Sequence, residues 1–308
     1  MSQLCDTILE SYQTRKTEEQ KTRFIQLLQQ HFPDIRVENA EKNRNLVFGD
    51  ISKAKLILTA HYDTCGRSLF PNISIPFRPG LKFAYNMLVL LPLIGLMMLV
   101  IFGLEPVIPD LPTRTCLGLL AYYIPFFYQF YGKPANPNTA NDNTSGVCLL
   151  VRLLETLSPE QLEKVAIVFF DNEEKGCVGS KAFRKLHKGE TENTPIFNFD
   201  CVADGEHILF ISSPKAEPTW EPLLRQAFRD GDGLTVGFAS SKRAKYSSDQ
   251  KRFPVSIGAA ALHLHKRVGY YFARIHTVKD TVHDKKNIEF LRCGIVRLID
   301  SLDQIHNK

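Results

Sequence analysis

The sequence lacks several features that would assign a function at once. Its seven cysteines include no pair at CxxC spacing, and an odd number cannot all pair within one chain, so reduced thiols in a reducing compartment are favoured. A net charge of +5 over 308 residues is small and its basic clusters are short, so no nucleic-acid partner is predicted. The polar beginning of the chain is unlike a secretory signal, and neither an internal repeat nor a low-complexity linker is found. What remains is a chain with 44% apolar residues, enough to bury a large core.

Charge is missing altogether from two long segments. Residues 83–104 contain no charged side chain over 22 positions, and residues 115–132 contain none over 18. Both lengths approach the about 20 residues that cross a bilayer as a helix. Three prolines between the segments predict a reversal of the chain: Pro106, Pro109 and Pro112. We expect an apolar helical hairpin at residues 83–132 that contacts membrane lipid, with a buried helical pair or an apolar lid as the alternative.

Basic residues lie on the outer ends of this expected hairpin. They are Arg67, Arg78, Lys82 and Lys133, whereas the connector between the two segments has only Arg114. Because short cytoplasmic flanks carry an excess of Lys and Arg, both ends of the hairpin are expected in the cytoplasm. The sequence thus predicts a membrane-associated protein whose main domain is cytoplasmic.

Outside the hairpin, short apolar runs alternate with segments of helical periodicity. Strands are predicted at residues 36–38, 45–48, 55–59, 165–170, 196–199, 207–211 and 261–264, and helices at 2–31, 147–157, 219–229 and 287–305. The run at 165–170 is unbroken, as expected for a central strand that is covered on both faces. This order predicts an α/β sheet in a single domain, formed by residues 1–82 and 133–308 and interrupted by the hairpin.

The apolar run at 165–170 is followed by two adjacent carboxylates, Glu173 and Glu174. Such a pair suits metal-assisted hydrolysis, in which one acid binds a metal and the other acts on its water, although Glu-Glu pairs are also common on solvated surfaces. Further polar residues occupy strand ends and helix starts, where open α/β sheets gather their ligand sites. They are His61, Asp63, Asp142, Asp200 and His276.

Each of these residues is also compatible with an ordinary structural role. Asp142 is suited to capping the following helix, Asp200 to ending a strand in a turn, and His61 to a place in the core. Jointly, two histidines and three carboxylates are a suitable set for two zinc ions, with cobalt or manganese as alternatives.

The residues fall in blocks that resemble the di-zinc exopeptidases of the aminopeptidase Y and bacterial leucyl aminopeptidase family, in clan MH. The blocks are AHYDT at 60–64, NDNTSGV at 141–147, FFDNEEKGCVGS at 169–180, NFD at 198–200, SSDQ at 247–250 and HTVKDT at 276–281. Their order runs through nearly all of the chain except the hairpin. The resemblance implies a three-layer sandwich with a mixed, mostly parallel central sheet and helices on both faces.

Carried over position by position, the resemblance also implies roles. Asp142 would bridge two zinc ions, Glu174 and His276 would complete one, His61 and Asp200 would complete the other, and Glu173 would be the catalytic general base. Asp63 would fix the tautomer of a ligand histidine by accepting its ring N–H. Ser248 and Asp249 are candidates for the substrate side, in a block that departs from the family at Gln250, where the family often has His.

The implied activity is that of an aminopeptidase that removes N-terminal residues from peptides with a metal-bridged water and a glutamate base, at the inner membrane surface. One alternative is a glutaminyl-peptide cyclotransferase, which shares the fold and uses one zinc. A second is a non-catalytic membrane receptor or scaffold with a peptidase fold, which is expected to lack a ligand or the base. No such residue is missing from the sequence.

Overall fold

The first half of the chain supplies two short helices, three strands and the hairpin. A computed structural model describes residues 2–68, 70, 72–128, 133–231 and 233–305. The elements are α1 (Gln3–Ser11), α2 (Glu18–His31), β1 (Arg36–Ala40), β2 (Asn43–Phe48), β3 (Leu56–His61), α3 (Pro79–Gly103) and α4 (Leu111–Phe127).

The second half alternates helices and strands. Its elements are α5 (Thr144–Thr156), α6 (Pro159–Leu162), β4 (Val165–Phe170), α7 (Val178–Leu186), α8 (Lys188–Thr191), β5 (Ile196–Phe199), β6 (His207–Ser212), α9 (Glu217–Ala227), β7 (Thr235–Ser240), β8 (Ser256–His265), β9 (Gly269–Tyr271) and α10 (Lys285–Ile305). A 3₁₀ turn covers Asp249–Arg252.

The strands form one mixed sheet in the order β1-β2-β4-β3-β5-β8-β6-β7, and β9 pairs with β8. Its centre, β4-β3-β5-β8, is parallel, and antiparallel pairs lie towards the edges. His61 at the end of β3 pairs with Phe170 at the end of β4. The loops that follow these strands therefore leave from the same edge of the sheet.

Alternating side chains of the central strands bury against helices on opposite faces of the sheet. In β4, Val165, Ile167 and Phe169 join the large core that also contains residues of α1, α2, α5, α9 and α10. The intervening residues of β4, including Phe170, pack in a second core with Phe183 of α7. These two cores explain the unbroken apolar run, and they give the α/β fold with helices on both faces that the sequence predicts.

The single helix expected at residues 2–31 is wrong, because residues 12–17 between α1 and α2 are not helical. Arg15 lies in this break, fully buried, and its guanidinium donates to the Tyr62 carbonyl and to the Thr144 hydroxyl, the latter at 3.1 Å. Thr17 then starts α2 in a capping box with Gln20. The break thus places the Arg15 guanidinium where it links the segment after β3 to the first turn of α5.

The apolar segments form the helices α3 and α4, which pack against each other at Gly118. A Cβ atom there would lie 2.5 Å from Cγ1 of Ile101, so only glycine permits this approach. The remaining apolar surface is largely exposed: Phe83, Leu99 and Phe102 are each more than 60% accessible. In the described part of the chain, α3 is the one helix whose length and composition suit a membrane crossing. Residues 129–132 of the predicted hairpin lie outside the described residues.

Candidate metal centre

Five side chains from five separate segments meet at the edge where the parallel strands end. His61 ends β3, Asp142 precedes α5, Glu174 follows β4, Asp200 follows β5, and His276 precedes α10. The structure therefore brings together all of the metal ligands that the resemblance implies.

Asp142 occupies the middle of this cluster. Its Oδ1 atom lies 3.4 Å from Nε2 of His61, and its Oδ2 atom lies 3.0 Å from Nε2 of His276. On the first side, Oδ1 of Asp200 lies 3.5 Å from the same His61 nitrogen; on the second, Oε2 of Glu174 lies 3.4 Å from Nε2 of His276. One carboxylate thus faces two imidazoles, each accompanied by a further carboxylate.

Asp63 holds three of the neighbouring groups. Its carboxylate accepts the backbone N–H groups of Glu173 at 2.9 Å and of Glu174 at 3.2 Å. Its backbone carbonyl lies 3.0 Å from Nδ1 of His61, and because a carbonyl can only accept, Nδ1 carries the proton. Nε2 of His61 faces the carboxylates of Asp142 and Asp200. Although burial opposes the rise, hydrogen bonds to these carboxylates raise the pKa of this histidine well above its ordinary value. In the neutral ring, with the proton on Nδ1, Nε2 would be the nitrogen available to a metal ion.

Two supporting residues are not predicted from the sequence. Lys21 of α2 is buried and binds Oδ1 of Asp171 at 2.7 Å and Oδ1 of Asn172 at 2.8 Å, immediately before the Glu173-Glu174 pair. Asp280 accepts the backbone N–H groups of Asn141 at 2.8 Å and Asp142 at 3.0 Å. Asp280 belongs to the HTVKDT block, and this block is the sequence feature that could have identified it. No sequence feature connects Lys21 with the site, since it lies on a polar helix far away in sequence.

The backbone adopts left-handed conformations at four non-glycine residues at or beside the site. They are Asn172 with φ 55°, Cys177 with φ 57°, Cys201 with φ 56° and His276 with φ 62°. Such conformations cost about 1–3 kcal/mol each and persist where the surrounding contacts determine them. The backbone of Gly146 lies close to the backbone of Phe199: a Cβ atom at position 146 would lie 2.4 Å from the Phe199 carbonyl oxygen. The first turn of α5 can therefore lie against the end of β5.

Carboxylates crowd this edge, and their electrostatic effect is strong. Burial, followed by the charges of Asp249, Glu174 and Asp200, raises the pKa of Glu173 well above its ordinary value, although His61 opposes the rise. Burial and the charge of Asp142 likewise raise the pKa of Glu174 to about 7, with His276 opposing. A cluster of this kind is stabilised in its charged form by cations.

The donors present fit divalent metal ions such as zinc. Imidazole nitrogen and carboxylate oxygen are its usual protein ligands, and Oε1 of Glu174 is buried with no hydrogen-bond partner within the described part of the chain. The ligand atoms of His61, Asp142 and Asp200 lie within 4.8 Å of one another. A second group at the same spacing joins Glu174 and His276 to a residue that the sequence does not predict, Cys65.

A cleft of about 230 Å³ opens onto this centre. Asp142, Glu173, Glu174, Asp200 and His276 contribute to its floor and walls, together with Lys82 from the first turn of α3. Glu173 therefore faces the same space as the candidate ligands.

Ser248 and Asp249 are fully buried beside this cleft. The Ser248 hydroxyl accepts a hydrogen bond from Nδ2 of Asn198 at 3.0 Å, and Oδ1 of Asp249 accepts one from the Ser180 hydroxyl at 2.5 Å. Tyr246, Ser247 and Lys251, which flank them in sequence, line the cleft instead. The substrate-side role of Ser248 and Asp249 stays a prediction.

Comparison with known proteins adds a family and a fold. The family profile described as Peptidase family M28 matches residues 127–296, more than half of the chain. No curated protein sequence is significantly similar.

Among solved structures, the LapA aminopeptidase of Legionella pneumophila is similar with a TM-score of 0.59 at 12% identity, covering 97% of this chain and 70% of that one. The TET1 peptidase of Pyrococcus horikoshii is similar with a TM-score of 0.50 at 14% identity, covering 96% and 98%. A zinc aminopeptidase of Bacillus subtilis, BSAP, gives a TM-score of 0.46 at 14% identity, covering 83% and 49%. At these identities the first two similarities establish the fold alone.

Proposed function

The chain belongs to peptidase family M28, and from this membership and the residues at the sheet edge we propose that it is a zinc-dependent aminopeptidase that removes N-terminal residues from peptides. The observation that carries the proposal is the position of Asp142, whose two oxygens face Nε2 of His61 and Nε2 of His276. In this proposal Asp142, His61 and Asp200 would hold one zinc ion, and Asp142, Glu174 and His276 would hold the other.

Bound zinc would supply a Lewis acid that lowers the pKa of a water molecule and polarises a peptide carbonyl. The chain supplies the base. Glu173 is half-buried and lines the cleft beside the ligands, where its carboxylate would accept the proton of the attacking water and then donate it to the leaving amine. The resemblance to exopeptidases further implies that the free α-amine of a peptide would bind one zinc ion or nearby carboxylates, which would place the first peptide bond at the centre.

We also propose that residues 83–132 form a membrane-inserted hairpin and that residues 1–82 and 133–308 form one cytoplasmic peptidase domain. Two features support the insertion: α3 has 25 residues with a mean hydropathy of 2.4 in its most apolar window, and its side chains pack into neither core. Since Lys82 at the start of α3 lines the cleft, the cleft would open close to the inner surface of the bilayer. Its peptide substrates would then be taken up near that surface.

The function is tested by assaying the full-length, detergent-solubilised protein, loaded with zinc, on a panel of amino-acid amides and short peptides. Release of free N-terminal amino acids, together with two bound zinc ions per chain, is the expected result. One bound zinc with cyclisation of N-terminal glutamine and no amino-acid release would replace the proposal with a glutaminyl cyclase. Zinc binding without turnover of any peptide would leave a non-catalytic receptor or scaffold.

A further inference from the structure

We propose that Cys65 is a sulfur ligand of the zinc ion held by Glu174 and His276, so that the two metal positions are chemically unequal. The position at Glu174 and His276 would be closed by protein ligands, and the position at His61 and Asp200 would keep a place open for water. This inference rests on the proposed function, since it presupposes a centre for two cations.

The geometry places the thiol where a ligand is needed. Sγ of Cys65, a carboxylate oxygen of Glu174 and a ring nitrogen of His276 all lie within 4.8 Å of one another. In a tetrahedral zinc site with bonds of about 2.0–2.3 Å, neighbouring ligand atoms are about 3.3–3.8 Å apart. A small inward movement of these side chains is therefore enough to bind the ion.

The backbone keeps Cys65 on this side of the centre. Its carbonyl accepts the N–H group of Asn136 at 3.2 Å, and the carbonyl of His276 accepts the N–H group of Ser68 at 2.7 Å. The segment after β3 is thus tied to the loop that carries His276. The Cys65 side chain is only 2% exposed, and within the described residues its one hydrogen-bond contact is long, 3.9 Å from Nδ2 of Asn136. Packing and hydrogen bonding therefore leave the thiol free to bind a metal.

Sulfur ligation would give the two metal positions different numbers of protein ligands and therefore different roles. Glu174, His276 and Cys65, with Asp142 as the shared carboxylate of the proposed function, would provide four protein ligands on one side, the number typical of tightly held zinc. Asp142, His61 and Asp200 would provide three on the other, the number typical of catalytic zinc. A thiolate also favours zinc over manganese. When the zinc–sulfur bond forms, the S–H bond breaks and its proton leaves to solvent, so no oxidant or reductant is required.

Cobalt spectroscopy tests this inference. Full-length protein in detergent is freed of metal and titrated with Co²⁺, and bound cobalt is counted while the near-ultraviolet spectrum is recorded, since a thiolate bound to cobalt gives a charge-transfer band that nitrogen and oxygen ligands do not. We expect the wild type to show the band with two ions bound. Cys65→Ser should lose it, and Cys201→Ser should keep it, because Cys201 is the matched buried thiol beside Asp200.

The wild-type spectrum by itself tests whether a cysteine binds the metal, even if a variant fails to fold. Two bound cobalt ions without a charge-transfer band would overturn the role of Cys65 and leave the proposed peptidase intact. A band that persists in Cys65→Ser would assign the sulfur to another cysteine and overturn it equally. If the wild type binds no cobalt and no zinc, the two-metal centre and the inference fail together.

Discussion

One oxygen of the Asp280 carboxylate accepts a hydrogen bond from the backbone N–H group of Asp142 at 3.0 Å, while the other oxygen accepts the N–H group of Asn141 at 2.8 Å. An asparagine at 280 has only one acceptor oxygen, so Asp280→Asn would set an N–H group against one of these donors. Residues that orient metal ligands typically change metal affinity by about 10–100-fold when replaced, and we expect a loss of this size for zinc. Chelator competition measures it. Asp284→Asn, at an exposed site in the same segment, is the control; equal zinc affinity in the two variants would rule out the positioning role.

Asp142 and Asp200 should differ in how many ions their loss removes. We expect Asp142→Asn to lose both zinc ions, because Asp142 faces both imidazoles, and Asp200→Asn to lose only the ion beside His61. Elemental analysis of the purified variants counts the ions. Retention of two zinc ions by Asp142→Asn would show that this carboxylate does not bridge.

The proposed base is tested by Glu173→Gln, which keeps the size of the side chain and removes its ability to accept a proton. General base catalysis typically contributes about 10²–10⁴-fold, so kcat should fall by that factor while the zinc content stays unchanged. Glu163→Gln, at an exposed position after α6, should retain the wild-type rate. An undiminished kcat in Glu173→Gln would exclude Glu173 as the base.

His283 predicts an acid-sensitive contribution to stability. Both of its ring nitrogens are buried and meet no hydrogen-bond partner among the described residues, and burial lowers its pKa to about 4. An unfolded histidine has a pKa of about 6.5, so between pH 6.5 and 4 the unfolded state binds more protons and the free energy of unfolding falls as the pH falls. The total effect is up to about 3 kcal/mol at 1.36 kcal/mol for each pKa unit.

Melting of metal-free wild type and His283→Gln across this pH range measures the effect. The variant carries no titrating group at 283, so its stability should fall less than that of the wild type between pH 6.5 and 4. Because both proteins lack metal, loss of zinc in acid does not contribute to the difference. Parallel curves for the two proteins would contradict the prediction.

The hairpin should be what makes the protein depend on detergent. Replacing residues 83–132 by a short flexible linker removes the exposed apolar surface of α3 and α4, so the shortened chain should remain in the supernatant after ultracentrifugation without detergent. Zinc content reports whether the remaining domain has folded. If the intact chain is also fully soluble without detergent, the membrane proposal is wrong.

Sequence patterns predict the centre of the fold better than its periphery. The strands at 165–170 and 196–199 appear with the expected bounds, because a short apolar run between polar residues is typical of a strand that is buried on both faces. By contrast, α7 is not predicted because it covers only nine residues directly after the Glu173-Glu174 loop. β7 is not predicted because this edge strand is half exposed and has a weak apolar pattern. The break between α1 and α2 depends on Arg15, whose partners lie in distant segments.

The candidate site shows the same division. Residues such as Glu174 and His276 can be identified because they lie in recognisable blocks at the ends of elements. Lys21 cannot, because its relation to the site exists only in three dimensions: it reaches the loop after β4 from a helix about 150 positions earlier. Cys65 directly follows the AHYDT block, but the sequence does not show that its side chain lies near Glu174 and His276. Motifs indicate ligands, whereas the residues that orient or supplement them depend on packing.

Lys82 belongs both to the first turn of α3 and to the wall of the cleft. In a membrane enzyme held by a flexible tether, the anchor can be severed and the catalytic pocket released unchanged. If the hairpin is inserted as proposed, a proteolytic cut within α3 would reshape one side of the pocket, so release from the bilayer would alter substrate selection as well as location. While the enzyme is anchored in this proposed way, it would meet its substrates at the membrane surface. Peptides that partition into the headgroup layer would then compete better than equally cleavable peptides in bulk water.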